Sequence, residues 1–75
     1  VEVQRKDYAR AEATYRRLLE LRPISPELMN NLGNVLMLEG RQAEAIEAYR
    51  RALRFDPNYR AARVTLERLG VAVTP

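Results

Sequence analysis

The sequence contains no cysteine and no histidine among its 75 residues. Without cysteine there is neither a disulfide nor a thiolate metal site to reinforce the small core that a chain of this length buries. Without histidine the chain lacks the commonest metal ligand and the commonest general base at neutral pH. Its ten carboxylates are scattered, and none is paired in the way a catalytic site requires. We therefore expect no metal, no cofactor and no enzymatic activity.

Long apolar runs and processing signals are also missing. No stretch approaches the roughly 20 apolar residues that cross a bilayer, and no secretory leader pattern occurs. We therefore expect no membrane partner, and a cytoplasmic location is the best expectation. The chain begins at Val1 rather than at a methionine, which suggests a piece cut from a longer protein.

The charges that are present are mixed along the chain rather than grouped in blocks. Thirteen basic residues, all but one of them arginine, accompany the ten acidic residues and leave a net charge of +3. Opposite charges lie four residues apart in pairs such as Glu12–Arg16 and Glu47–Arg51. Each such pair stabilises a helix by about 0.3 kcal/mol if it forms. The pattern is typical of a solvated helical surface.

Apolar residues recur at helical spacing in two consecutive stretches, ELMNNLGNVLMLE and QAEAIEAYRRALRF. Gly40 lies between them and can adopt the positive φ that commonly ends a helix. Asp56 precedes Pro57, and a residue before proline is pushed out of the helical region, so the second helix ends there. The pattern predicts two antiparallel helices joined by a tight turn.

The sequence also repeats itself with a period of 34 residues. Seven of the fifteen positions from Ala9 to Pro23 carry the same residue as the position 34 further on, including Tyr15 with Tyr49. Unrelated segments would agree at only about one position in fifteen to twenty. Such a period predicts stacked copies of one structural unit.

The run NNLGNVLMLEGRQAEAIEAYRRALRFDPN resembles a tetratricopeptide repeat. Two aromatic positions of that motif are replaced by other apolar residues, Met29 and Leu36. The resemblance implies an all-α fold of antiparallel helix hairpins stacked in a right-handed superhelix. The positions that carry the likeness are Leu32, Gly33, Gly40, Ala45, Tyr49, Ala52 and Pro57.

This register divides the chain, expected to be a single domain, into four parts. Residues 1–23 are the end of a truncated repeat, with a vestigial helix at 1–6, an N-cap at Asp7 and a helix over 8–21. Residues 26–59 are a complete repeat capped by Ser25, with Gly33 and Ala45 allowing close helix packing. Residues 60–70 form a capping helix ended by Gly70, and residues 71–75 form a loosely held tail.

The resemblance further implies a protein–protein interaction scaffold, in which the first helix of each hairpin lines a concave groove for a peptide or a partner helix, or which assembles through stacking of its repeats. The three asparagines of this set either bind the partner's backbone through their amides, or Asn34 ties neighbouring helices together while the other two face water. Met37 and Leu38 either contact the ligand or pack against the next helix. The groove positions carried over to this chain are Glu27, Asn30, Asn31, Asn34, Met37, Leu38, Val64 and Arg68, with Ala61 beside them.

Three alternatives remain open at this point. The helix over 8–21 should expose apolar side chains where its partner helix belongs, which predicts a homo-oligomer through that end. The chain could equally be a designed or truncated repeat that self-associates and has no natural ligand. Nucleic-acid binding is the weaker alternative, because glutamates interleave with the arginines that would contact phosphates. Those arginines are Arg16, Arg17, Arg50, Arg51 and Arg54.

Overall fold

The computed structural model describes residues 5–72, and side chains from Asp7 to Ala72. This part of the chain contains four helices and no β-strand, which confirms the all-α prediction. The helices are α1 (Arg5–Leu21), α2 (Pro26–Leu38), α3 (Gln42–Phe55) and α4 (Arg60–Arg68). Helix α2 packs against both α1 and α3, and α3 packs against α4.

The ends of α2 follow the sequence signals. The backbone N–H of Leu28 donates to the Ser25 hydroxyl at 3.2 Å, so the predicted N-cap is confirmed. Gly40 has a φ of 79° and Gly70 a φ of 73°, which confirms both glycines as helix stops. After Gly40 the N–H of Arg41 donates to the carbonyl of Leu36, and this bond closes the turn into α3.

The start of α1 differs from the prediction. Helix α1 runs without a break from Arg5, and Asp7 lies inside its first turn. The predicted N-cap at Asp7 and the helix break before it are therefore wrong; residues 1–4 of the vestigial helix lie outside the described residues. The physical reason is Lys6, which stands 34 residues before Gly40. A lysine does not readily take the positive φ that such a turn needs, so the helix continues.

The last described residues also differ from expectation. Val71 packs against the core, and its N–H donates to the carbonyl of Leu66 at 3.2 Å. The loose tail predicted for residues 71–75 is therefore wrong at Val71, because the turn at Gly70 directs that side chain back onto the core. Residues 73–75 lie outside the described part of the chain.

The core lies between α2, α3 and α4. Its largest fully buried side chains are Met29, Leu36, Tyr49 and Leu66. Gly33 of α2 makes room for the Tyr49 ring of α3, since a Cβ on Gly33 would lie 2.7 Å from Cε1 of that ring. The sequence predicted close helix packing at Gly33, and the structure identifies the group that requires it.

Candidate partner-binding surface

One stripe of α2 is left open by its two neighbouring helices. Glu27, Asn31, Asn34 and Leu38 follow one another at intervals of four, three and four residues, so they share one face of the helix. Three of them are exposed and Asn31 is half-buried. Leu38 is 61% exposed, which is a large fraction for a leucine in the middle of a small domain. We call these four residues the α2 stripe.

Asn34 is held in place by the core. The hydroxyl of Tyr49 donates to Oδ1 of Asn34 at 2.7 Å, while the Tyr49 side chain is 1% exposed. Burial raises the pKa of Tyr49, so the hydroxyl keeps its proton and remains a donor. With Oδ1 engaged, the amide nitrogen of Asn34 is left with its two N–H groups as donors. Asn34 therefore ties α2 to α3, one of the two interpretations left open, and still presents donors at the surface.

Two of the predicted groove residues lie below this surface. Asn30 is 7% exposed, and its Oδ1 has no hydrogen-bond partner among the described residues. Met37 is half-buried and packs against the core, which favours the packing interpretation for that residue. The neighbouring Leu38 does the opposite and points outward. One step along the helix therefore separates a core residue from a surface residue.

Helix α4 contributes the remaining predicted residues. Arg68 and Ala61 are exposed and Val64 is half-buried. Burial raises the pKa of Tyr59, the N-cap residue of α4, and the charges of Glu27 and Asp56 add to that rise. The Thr65 hydroxyl donates to the carbonyl of Ala61, so it does not add a free donor to this surface.

A charge cluster that the sequence analysis missed joins α1 to the turn between α2 and α3. Arg41 donates through Nη1 to Glu12 at 2.7 Å and through Nη2 and Nε to Glu44 at 2.6 and 2.9 Å. Arg16 donates to the other Glu12 oxygen at 2.9 Å, which confirms the predicted Glu12–Arg16 pair. Glu39 also approaches Arg41, at 3.4 Å. Arg41 and Glu12 are far apart in sequence, so helical spacing gave no signal for their contact.

The cluster shifts the acidity of its members in opposite directions. Burial acts to raise the pKa of Glu12, but hydrogen bonds and the charges of Arg41 and Arg16 bring it below its ordinary value. Hydrogen bonds from Arg41 lower the pKa of Glu44. Burial and the neighbouring Glu12 raise the pKa of Glu39, because two carboxyl groups this close cannot both be charged without repulsion.

The arginines proposed for nucleic acid lie among glutamates. Arg16 is paired with Glu12, and Arg54 lies 3.8 Å from Glu47. Glu47 therefore pairs with Arg54, and the Glu47–Arg51 pair expected from spacing is not among the ion pairs of the described side chains. Arg51 and Arg16 line a shallow depression together with Glu44 and Glu47. This mixture is what a solvated surface shows.

Residues 5–72 include no helix that is both long enough and apolar enough to cross a bilayer. The same stretch brings together no group of three or more acidic side chains that could hold a metal ion.

A family model described as tetratricopeptide repeat matches residues 1–60, which is most of the chain and includes α1, α2 and α3. No curated protein and no solved structure matches the chain.

Proposed function

Because the chain belongs to the tetratricopeptide repeat family, whose repeats generally mediate protein–protein interaction, we propose that it binds a peptide or a partner helix. The binding surface is the α2 stripe together with Val64 and Arg68 of α4. Members of this family are typically non-catalytic scaffolds, and the proposal assigns no reaction to these residues.

The pairing of Asn34 with Tyr49 is the observation that carries the proposal. A side-chain amide on a free surface samples several rotamers and loses that freedom on binding. Here the Tyr49 hydroxyl already holds Oδ1 at 2.7 Å, so the amide donors are oriented before a partner arrives. Such donors suit carbonyl or carboxylate oxygens of a peptide. Leu38, on the same stripe, offers an apolar contact beside them.

The remaining residues of the surface complete its chemistry. Glu27 and Arg68 place opposite charges on α2 and α4, which favours a partner with charges of both signs over a uniformly charged one. Asn30 and Met37 lie beneath this surface, so they support the exposed residues and offer a partner little contact area of their own. Assembly by stacking of neighbouring repeats would use the helix faces at the two ends instead of this stripe.

The proposal is tested by selecting peptides from a displayed random library on the 75-residue chain and measuring their affinity by fluorescence anisotropy. Asn34→Ala and Leu38→Ser should each weaken the selected peptides about tenfold, since each removes one contact worth on the order of 1.4 kcal/mol. Arg51→Ala, an exposed change on α3, is the matched control and should leave the affinity unchanged. Selected peptides whose affinity is unchanged by both Asn34→Ala and Leu38→Ser would contradict the proposal.

Tyr49→Phe gives a sharper test of the same idea. The ring that fills the space over Gly33 is kept, and only the hydroxyl that holds Asn34 is removed. If pre-orientation of the amide matters, affinity falls although no residue on the surface has changed. If affinity is unaltered while Asn34→Ala still weakens binding, the amide acts without help from Tyr49.

A further inference from the structure

A pocket opens between the start of α1 and the turn that follows α2. Its volume is about 360 Å³, near the lower end of ligand pockets, which span roughly 300–1,000 Å³. It therefore has room for one side chain and not for a whole peptide. The residues that line it are Tyr8, Leu38, Glu39, Gly40 and Arg41. We call it the Tyr8 pocket. Leu38 is also the last residue of the α2 stripe, so a partner lying along the stripe reaches this pocket.

The first helix of a hairpin does not cover this position of the repeat. Gln42 of α3 stands 34 residues after Tyr8 of α1, and it is exposed although α2, the first helix of its hairpin, is in place. Tyr8 is half-buried, and across the pocket it faces the turn between α2 and α3. The other four lining residues belong to the complete hairpin of α2 and α3. The pocket therefore lies between consecutive hairpins and not on an end face of the stack.

Two walls of the pocket suit a long basic side chain. Leu38 is 61% exposed, so the aliphatic stem of a lysine or an arginine can pack against it. Tyr8 supplies an aromatic ring, and the face of such a ring attracts a cation. A carboxylate gains no such attraction from the ring.

The third wall is negatively charged. Glu39 is the C-cap of α2, whose last turn carries no basic residue, so the carboxylate adds to the partial negative charge of that helix end. The Glu39 side chain is 17% exposed. Among the side chains from residue 7 to 72 it approaches a cation only at 3.4 Å, from Arg41. Arg41 lies closer to Glu12 and Glu44, so Glu39 has the weakest cationic contact of the three carboxylates in the charge cluster.

Arg41 also lines the pocket, but its donors are already in use. It donates to Glu12 at 2.7 Å and to Glu44 at 2.6 and 2.9 Å. The whole cluster sets three carboxylates against two guanidinium groups, Arg16 and Arg41, which leaves one negative charge in excess. Burial and the neighbouring Glu12 raise the pKa of Glu39, which is a second sign that this charge lacks compensation. An incoming cation supplies it.

The exposed charges of α1 beside Tyr8 lie on other faces of that helix. Asp7 is adjacent to Tyr8 and Arg10 follows it by two residues, and both are exposed. Residues one or two positions apart on a helix do not share a face, whereas Glu12, four residues after Tyr8, does share its face. The charge that accompanies the Tyr8 ring is therefore that of the cluster.

From this geometry we propose that the Tyr8 pocket binds a lysine or arginine side chain of the peptide or helix that lies along the α2 stripe. The stem of that side chain packs on Leu38, and its charged head lies between the Tyr8 ring and the Glu39 carboxylate. This assignment rests on the proposed function and deepens it, because it places a basic residue of the partner at the end of the surface where α2 ends.

The test uses capped amino acids in place of peptides, so that the pocket is measured separately from the rest of the surface. Nα-acetyl-lysine amide is titrated into the isotope-labelled 75-residue chain, beside Nα-acetyl-norleucine amide, which keeps the stem and lacks the charge. The backbone amide signals of Glu39 and Gly40 report binding by NMR. Lysine should bind about tenfold more tightly, because only lysine pairs with the Glu39 carboxylate. Equal binding of the two probes, or no change of either signal, overturns the proposal.

Variants locate the contact. Glu39→Gln should weaken the lysine probe about tenfold, and Tyr8→Leu should weaken it about threefold through loss of the ring. Glu47→Gln is the matched control, since it removes the same charge from an exposed glutamate of α3, and it should change nothing. Circular dichroism checks that each variant is folded. Equal losses in Glu39→Gln and Glu47→Gln would show a general attraction to negative charge, which overturns the proposal.

The pH dependence of binding gives a second readout. Only the ionised carboxylate pairs with a cation, so affinity for the lysine probe should rise as the pH passes upward through the raised pKa of Glu39. The Glu39→Gln variant should show no such rise. A rise that persists in this variant would mean that another group binds the cation, and it would contradict the proposal.

Two other occupants of the pocket are tested in the same way. If Nα-acetyl-glutamate amide binds more tightly than the lysine probe and Arg41→Gln abolishes that preference, the pocket is an anion site and the proposal is overturned. Arg5 and Lys6 precede Tyr8 in the sequence. If the lysine probe binds only after Arg5→Gln or Lys6→Gln, a basic residue of this chain fills the pocket, which also overturns the proposal.

Failure of this proposal and failure of the proposed function are distinguishable. Selected peptides that depend on Asn34, but keep their affinity when their basic residues are replaced by norleucine, contradict only the pocket assignment. A lysine probe that depends on Glu39, together with selected peptides that are insensitive to Asn34→Ala and Leu38→Ser, contradicts the proposed function while the preference of the pocket for a basic side chain stands.

Discussion

Helices α1 and α3 carry the same repeat pattern but not the same surroundings. Tyr49 of α3 is fully buried, and its hydroxyl is paired with Asn34. Tyr15, 34 residues earlier, is only half-buried at the edge of the core. The repeat therefore determines which face of each helix is apolar, while the neighbouring helices determine whether that face is covered. Four experiments sharpen or break this comparison.

The largest effect is expected from truncating the two tyrosines. Tyr49→Ala removes a buried aromatic ring and should cost about 3–5 kcal/mol of unfolding free energy, which is enough to unfold a domain of this size. Tyr15→Ala removes a ring that solvent already reaches, so the chain should stay folded. Urea denaturation followed by circular dichroism measures both variants. Similar losses at the two positions would show that burial does not distinguish them.

Gly33→Ala should have the next largest effect. The added Cβ would lie 2.7–2.9 Å from three atoms of the Tyr49 ring, so ring or helix must move, and such overpacking costs about 1–3 kcal/mol. Gly40→Ala is the control: nothing lies within 4 Å of its Cβ, but its φ of 79° is strained for alanine, at about 1 kcal/mol. Changing Tyr49 to leucine should relieve the first loss and not the second, which a double-mutant cycle measures.

A smaller loss should follow Arg41→Ala, which removes the contacts from the turn to Glu12 and Glu44. The urea midpoint should fall, and the difference from the original chain should shrink in high salt because these groups are partly exposed. Arg54→Ala breaks only the longer contact with Glu47, so it should lower the urea midpoint less than Arg41→Ala does. An equal fall of the urea midpoint for both variants would mean that the charge cluster joining α1 to the turn stabilises the fold no more than a single exposed ion pair.

The smallest effect is on the pH dependence of stability. Because the pKa of Glu39 is raised above its ordinary value of 4.5, its contribution is complete below pH 4.5 and is lost as the pH rises through the raised value. Glu39→Gln should therefore remove that loss and flatten the thermal-melting profile above pH 4.5. Glu12 and Glu44 have lowered pKa values, so their contribution is present above pH 4.5 and is lost as the pH falls through those values.

Glu12→Gln is the matched opposite of that change. It should lower stability above pH 4.5, where the Glu12 carboxylate is charged and held by Arg41 and Arg16. A profile in which the two glutamine variants move in the same direction would contradict the assignment of opposite shifts to this pair.

Local signals predicted most of the fold, because they need only a few neighbouring residues to act. Ser25 capped its helix and Gly40 ended one as expected. The wrong prediction at Asp7 has a local cause too. An aspartate caps a helix only where the residue before it is not helical, and Lys6 already belongs to α1. The 34-residue period aligns Lys6 with Gly40, so the sequence did indicate that the first copy lacks the glycine that ends a helix in the second copy.

The candidate site could be predicted only in outline. Helical periodicity placed Asn30, Asn34, Met37 and Leu38 near one face of α2. It could not predict that Asn30 and Met37 are covered by neighbouring residues while Asn34 and Leu38 are exposed. That difference depends on where α1, α3 and α4 lie around α2. The contact of Arg41 with Glu12 depends on the same long-range geometry, which no local pattern records.

The hydrogen bond from Tyr49 to Asn34 connects a buried side chain to an exposed one, so a change at the surface can alter the mobility of the core. Any ligand that engages the Asn34 amide also steadies a ring wedged between two helices, so amide protons along α3 should exchange more slowly with solvent when the surface is occupied. Hydrogen exchange could therefore detect a partner through residues that the partner never reaches.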